Sequence, residues 1–330
     1  MREMVTTELT TLDGGDGVTL PDVPEVSAIT RVDLEAAQAP STRRAYCADW
    51  RHFAVWCADR AVDARPATPE TVADYVADAA ASGSSASTIG RRLAAVRSAH
   101  LTAGHPVSPT SDALVRAALA GVRRTHGVAP RRKAAITTPE MCAMVGTLDP
   151  TTPLGVRDRA ILLLGYATGM RRSELAALDV EDLQLVADAG LRIRLRRSKT
   201  DQKGRGRVVG VVRGRTAATC PVRAVEEWVS WVAMGPLFRK VRRGSHVTFD
   251  RISPRVVAMV VQRTAQAAGL DPSRFGGHSL RAGMVTTASR NRAPVARILA
   301  QSGHLHLDIL MSYGREAELF DENASGYLGL

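Results

Sequence analysis

Lysine is nearly missing from this sequence. Of 44 basic residues all but Lys133, Lys199, Lys203 and Lys240 are arginine. A chain that takes its positive charge from arginine, yet sets Lys199 and Lys203 in one short turn, has a use there for an ammonium group. Cysteine is sparse too. Cys47, Cys57, Cys142 and Cys220 are scattered without C-x-x-C spacing, which argues against a thiolate metal site or a disulfide framework and suits a reducing cytoplasm. No apolar run approaches the ~18 residues of a membrane span. The first residues lack the basic-then-apolar layout of a secretory signal, so the expected location is cytoplasmic, with no membrane partner. No G-x-x-x-x-G-K-[ST] loop is present for a nucleotide, no carboxylate cluster suggests magnesium, and no repeat of 20–50 residues suggests a solenoid.

What the chain does have is positive charge, 44 basic residues against 33 acidic ones for a net +11. The acid is unevenly placed: residues 1–26 hold Arg2 against Glu3, Glu8, Asp13, Asp16, Asp22 and Glu25, a balance of −5, so the remainder carries +16. A charge of that size favours a polyanion such as nucleic acid, and the lack of a basic amphipathic end places anionic lipid well behind.

With 330 residues and 45% apolar content the chain is long enough for one large or two ordinary domains. Residues 1–26, rich in Gly, Thr, Asp and Pro without a sustained period, are expected to form a disordered acidic tail. Residues 27–125 read as a helical domain. Tyr46, Trp50, Phe53 and Cys57 form one stripe behind a Ser41 cap; Thr68 and Pro69 open a second helix that closes at Gly83. Ile89, Leu93, Val96 and His100 form the stripe of a third, with Arg91 and Arg92 off it, and Leu114, Ala118 and Val122 the stripe of a fourth. "HGVAPRRKAA", residues 126–135, reads as a linker. From 136 to 330 the pattern is mainly helical, interrupted at Gly169 and by two strands, 191–197 and "RVVGVV", joined by a basic turn. The expected class is therefore mainly α: an N-terminal helical domain and an α-rich domain with a small antiparallel β-sheet. In the first strand Leu191, Ile193 and Leu195 should face the core while Arg192, Arg194 and Arg196 face out.

Three segments could carry chemistry: "ATGMRRSELAAL" (167–178), "GGHSLRAGM" (276–284) and "SGHLHLDILMSYG" (302–314). Each sets an Arg, His or Tyr beside a glycine break, where a helix begins or ends and a side chain can face a partner. Taken singly, each is more commonly a surface arginine or a satisfied core histidine or tyrosine. His304, His306 and Asp308 have a superficial likeness to a metal site, but no further ligands are evident.

Taken together, in order and spacing, the segments resemble the phage-integrase family of tyrosine recombinases over roughly residues 27–330. "TGMRRSEL" is similar to that family's first-arginine motif, which makes Arg171 the matching residue and Glu174 its acidic neighbour. "HSLR" resembles the H-x-x-R motif, giving His278 and Arg281. "GH", followed nine residues later by tyrosine, gives His304 and Tyr313. The strand-turn-strand segment lies where the family keeps its catalytic lysine, here Lys199 with Lys203 as the alternative.

The resemblance implies a site-specific DNA recombinase that works without metal, ATP or other cofactor, through a covalent 3′-phosphotyrosine. It further implies a homotetramer on two specific duplex sites, with the tail "AELFDENASGYLGL" either exchanged between neighbours through Tyr327, Leu328 and Leu330 or packed on its own chain. The groups suit the chemistry. Tyr313 is the nucleophile; Arg171 and Arg281 offer forked donors to the non-bridging phosphate oxygens, and His304 can donate to the same oxygens. His278 can assist proton transfer, and Glu174 can orient an arginine. Lysine, with a reference pKa near ~10.4, is a better proton donor to the departing 5′ oxygen than arginine above ~12. Arg91 and Arg92 on helix 87–103 are expected to contact bases, and Arg192, Arg194, Arg196 and Lys203 the DNA backbone. A type IB topoisomerase is the neighbouring alternative, and a DNA-binding regulator that has lost catalysis the alternative from another class.

Overall fold

The computed structural model describes residues 39–127, 133–196 and 206–304. The chain divides into two compact units, Met1–Arg131 and Arg132–Leu330, and the division falls inside the Gly-, Pro- and charge-rich stretch 126–135.

In the first unit four helices follow one another: α1 (Pro40–Ala58), α2 (Pro69–Ala81), α3 (Ala86–Thr102) and α4 (Ala113–His126). α1 packs on α3 and α2 on α4. The caps are local chemistry. Thr68 Oγ1 accepts from the Thr71 amide (3.2 Å), Ser85 Oγ from Thr88 (3.2 Å) and Asp112 Oδ1 from Leu114 (2.8 Å), each satisfying an amide the first helical turn leaves open. α1 departs from expectation at its start: Pro40, with φ already helical, opens it two residues earlier than a Ser41 cap would, and Ser41 lies within the helix. The core is built from Trp50, Phe53, Tyr75, Ile89 and Val96. α4 corrects the expected stripe. Val122 is buried and Ala118 packs on the core as expected, but Leu114 is 47% exposed and Val115 takes its place, the stripe following the 115, 118, 119 and 122 spacing of a helix face.

The second unit is organised around a helix buried nearly all round, α6 (Pro153–Thr168), which follows α5 (Thr138–Gly146) and precedes the short α7 (Arg172–Ala177). Ile161, Leu162 and Leu164 on α6 are fully buried, and each such side chain contributes on the order of 1.5–3 kcal/mol. A three-stranded antiparallel sheet, β1 (Leu183–Val186), β2 (Gly190–Leu195) and β3 (Arg207–Val212), has β2 in the middle, with Leu191 opposite Val211 and Ile193 opposite Val209. Leu191, Ile193 and Leu195 point into the core, while Arg192, Arg194 and Arg196 are exposed. Then come α8 (Pro221–Val232), the hairpin β4 (Arg239–Arg242) and β5 (His246–Arg251), α9 (Pro254–Ala267), α10 (Ser279–Arg290) and α11 (Val295–Ser302). α6 packs against α8, α9 and α10, and α11 against α10 and β3.

The architecture is mainly α with small antiparallel sheets. β1 and the β4–β5 hairpin were not foreseen. "RKVR" has no alternating apolar face, and the hairpin turns through Gly244 and Ser245 at φ +77° and +62°, where serine gives no warning of a left-handed residue. Tertiary partners hold it: the Arg239 carbonyl accepts from buried Arg157 (3.1 Å), and the Arg239 guanidinium lies over the Phe249 ring at 4.3 Å.

Candidate active site

The first-arginine motif is shaped by the end of α6. Thr168 Oγ1 donates back to the Leu164 carbonyl (2.7 Å) and accepts from the Met170 amide (3.3 Å). Gly169 then turns left-handed at φ +60°, a conformation that favours glycine, and a Cβ there would stand 2.4 Å from Met284 Cε and displace that methyl. The chain leaves this turn to start α7 at Arg172, with Arg171 in extended conformation ahead of it. Glu174, 4% exposed, folds back over the start of that helix. Its Oε2 accepts from the Arg171 amide (3.0 Å) and its Oε1 from Arg171 Nη1 (2.6 Å). A buried carboxylate thus fixes both the backbone and the guanidinium of Arg171, the orienting part assigned to Glu174.

The second motif begins at a turn held by buried Ser279, whose Oγ accepts from the Gly276 amide (3.0 Å). His278 precedes the first residue of α10 in an exposed position. Arg281, one turn further in, is 1% exposed. Its Nη1 donates to the carbonyls of Gly169 (2.7 Å) and Ser302, and its Nε to His304 Nε2 (3.2 Å). One guanidinium therefore pins the end of α6 to the end of α11.

α11 terminates at Gly303, left-handed at φ +67°, and delivers His304 beside Arg281. Because Arg281 Nε must donate, His304 Nε2 must accept, which puts the ring proton on Nδ1. From there it donates to Ser302 Oγ (2.8 Å), which in turn donates to the Ile298 carbonyl (2.7 Å). Burial, followed by the charges of Arg281, Arg171, His278 and Arg207, holds His304 down to about 4. The imidazole is neutral at physiological pH in this arrangement. Donation to a phosphate oxygen through Nε2, the role expected of it, requires that nitrogen to exchange its Arg281 bond for a proton, a change the negative charge of an approaching phosphodiester favours.

The fold thus brings Arg171, Glu174, His278, Arg281 and His304 from three distant segments into one neighbourhood. Lys199, Lys203 and Tyr313 lie outside the described residues, as do His306, Asp308 and the tail with Tyr327, Leu328 and Leu330. Arg207 was missed. It opens β3 and reaches Glu174 Oε2 at 3.7 Å through its Nη2; no sequence motif marks it beyond its place at the head of "RVVGVV". Of the arginines expected on DNA, Arg192 and Arg194 stand out from β2. Arg196 is engaged within the chain, its Nε on Asp182 (2.8 Å) and Nη1 on Asp179 (3.1 Å), and Asp179 also binds Arg251. In the first unit Arg91 Nη2 pairs with buried Asp49 Oδ1 (3.0 Å), and Arg92 Nη1 bends back to Ser84 Oγ (3.3 Å).

Residues 135–319 match the model of the phage integrase family, and residues 31–103 that of the phage integrase N-terminal SAM-like domain. The chain is 34% identical over 295 residues to an integrase/recombinase XerD homolog of Selenomonas ruminantium, covering 88% of this chain and 86% of that one. It is 27% identical over 287 residues to the tyrosine recombinase XerC of Mycobacterium bovis, covering 85% and 89%. Among solved structures, a lambda integrase dimer bound to a COC′ core site is similar in fold at 15% identity, with a TM-score of 0.57 over 87% of this chain and 77% of that one. A lambda integrase tetramer bound to a Holliday junction gives 0.56 at 14% identity, over 84% and 75%. The chain belongs to the phage integrase family. It is a tyrosine-type site-specific recombinase, an enzyme of DNA strand transfer.

Proposed function

We propose that the chain recombines specific duplex DNA sites as a homotetramer, and that the neighbourhood of Arg171, Arg281 and His304 receives the scissile phosphate. The observation that carries this reading is the convergence of two arginine motifs more than a hundred residues apart: Arg281 donates to the carbonyl of Gly169, two residues before Arg171, and also bonds His304, while Glu174 orients Arg171. A phosphodiester displacement demands little covalent work from the protein beyond a nucleophile, a proton for the departing oxygen and fixed positive charge around the five-coordinate phosphorus. Tyr313 Oη attacks phosphorus as its proton passes toward His278 or water. The P–O5′ bond breaks, the 5′ oxygen takes a proton from Lys199, and the 3′ strand end stays on the tyrosine, conserving the bond for rejoining. Arg171 and Arg281 stabilise the charge that builds on the non-bridging oxygens.

The residues expected on DNA divide between the units. Arg91 and Arg92 on α3 are assigned to base edges, and Arg192, Arg194, Arg196 and Lys203 to phosphates. For Arg196 that means competing with Asp179 and Asp182, and for Arg91 with Asp49. Among the described residues no helix is long and apolar enough to cross a membrane, and action on cytoplasmic, nucleoid-associated DNA fits the reading.

Tyr313→Phe tests the central step. This variant should bind a nicked suicide substrate at normal affinity and form no covalent adduct resolvable on a denaturing gel. Normal adduct formation would remove Tyr313 as nucleophile. Relaxation of supercoiled DNA without sequence preference would instead favour the topoisomerase alternative, and specific binding by the unaltered protein with no adduct the silent regulator.

A further inference from the structure

We propose that Arg207 is a positioning residue for strand cleavage: its guanidinium clamps the C-terminal end of α11 against Glu174 and so fixes His304 relative to Arg171. The inference rests on the reading that His304 and Arg171 serve the scissile phosphate. Arg207 Nη1 donates to the carbonyls of Ala300 (3.2 Å) and Gln301 (2.9 Å), and Nη2 to that of Ser302 (3.4 Å). These carbonyls end α11, where the helix has no amides of its own to offer and a cation is favoured. The same Nη2 stands 3.7 Å from Glu174 Oε2, the oxygen that also accepts from the Arg171 amide. The guanidinium lies flat on the left-handed Gly303: a Cβ there would fall 2.8 Å from Arg207 Cζ and 2.9 Å from Nε.

Ser302 is the shared part. Its carbonyl accepts from both Arg207 and Arg281, while its hydroxyl accepts from His304 Nδ1. Gln301 braces the same helix end, donating to the carbonyls of Ala167 and Gly210, each at 3.0 Å. Among the described residues Arg207 bonds the end of α11 and stands beside Glu174, joining the two groups that hold the phosphate-facing residues. Without it the end of α11 keeps Arg281 and, through Gln301, its bond to β3, but loses the guanidinium that sets its distance from Glu174. A shift of about 1 Å in a reacting group can cost on the order of 100-fold in rate.

The test measures single-turnover covalent capture of a nicked suicide duplex by the full chain, alongside its affinity for the same duplex. Arg207→Ala should lower the capture rate about 100-fold with affinity changed less than about threefold, and Arg207→Lys should recover part of the loss by restoring a cation beneath the carbonyls. In a His304→Ala background the Arg207→Ala loss should shrink to under about threefold, since residues acting as one unit are not additive. Gly303→Ala, which forces the guanidinium off its seat without removing it, should reproduce the slow capture if Arg207→Ala fails to fold. Equal loss in the His304→Ala and unaltered backgrounds, or capture at the normal rate by both Arg207→Ala and Gly303→Ala, overturns the proposal alone. Normal capture by His304→Ala by itself overturns the reading of the site on which it rests.

Discussion

Arg281 is as much a part of the framework as of the chemistry, and its replacement by alanine separates this structure from a picture in which the residue waits in an open cleft for phosphate. The side chain is 1% exposed. Its removal takes the donor from the Gly169 carbonyl and from His304 Nε2, whereas the Ser302 carbonyl retains Arg207. Leaving a buried acceptor unsatisfied costs roughly 1–3 kcal/mol, so two such groups give about 2–6 kcal/mol. Relief from burying a guanidinium offsets part of this, leaving about 3 kcal/mol. For a folded unit of about 200 residues, 1 kcal/mol moves the melting temperature by about 2–4 °C, which predicts a fall of roughly 6–12 °C. The assay is thermal unfolding by circular dichroism without DNA, so that no catalytic contact contributes. Arg171→Ala serves as the comparison: its side chain is 20% exposed and its partner Glu174 keeps Arg207 nearby, so its melting temperature should fall by much less. If Arg281→Ala unfolds within about 2 °C of the unaltered protein, its guanidinium does not hold the ends of α6 and α11 together and the reasoning fails.

A substrate with a 5′-bridging phosphorothiolate, whose leaving group needs no proton, should restore cleavage to Lys199→Ala; rescue of Lys203→Ala instead would move the general acid to that residue. His304 titrates near 6.5 in the unfolded chain and at about 4 in the folded one, so on acidification through that window the unfolded chain takes up a proton the folded chain refuses, and stability falls. The full difference corresponds to roughly 3 kcal/mol, which solvent around the half-exposed ring reduces to about 1–2 kcal/mol. Urea unfolding at pH 7 and pH 4.5 should show that loss in the unaltered protein and less of it in His304→Asn; identical pH dependence in both would refute it. Arg91→Ala should flatten the slope of log affinity against log salt by about 1 if Arg91 meets a phosphate, or relax sequence preference at one base pair if it reads a base; fluorescence titrations showing neither would place Arg91 off the DNA and leave it to Asp49.

Much of this protein was determined by its sequence alone, because the causes act over a few residues. The cap at Thr68, the break at Gly169, and the alternation of Leu191, Ile193 and Leu195 with Arg192, Arg194 and Arg196 depend on hydrogen-bonding reach and side-chain period. The order of the arginine, histidine and tyrosine motifs was equally legible, since each is short and contiguous. What only the tertiary structure decided depends on neighbours far along the chain. Leu114 is left in solvent because the core takes Val115 beside it; β4 and β5 pair despite an unpromising pattern because Arg157 and Phe249 meet Arg239. The folded chain likewise commits Arg196 to two aspartates, buries Arg281 between two helix ends, and sets Arg207 under the end of α11. An isolated arginine reads the same in sequence whether it meets phosphate, carboxylate or a helix end, because its long side chain and five donors fit all three; only the position of the partner in space distinguishes them.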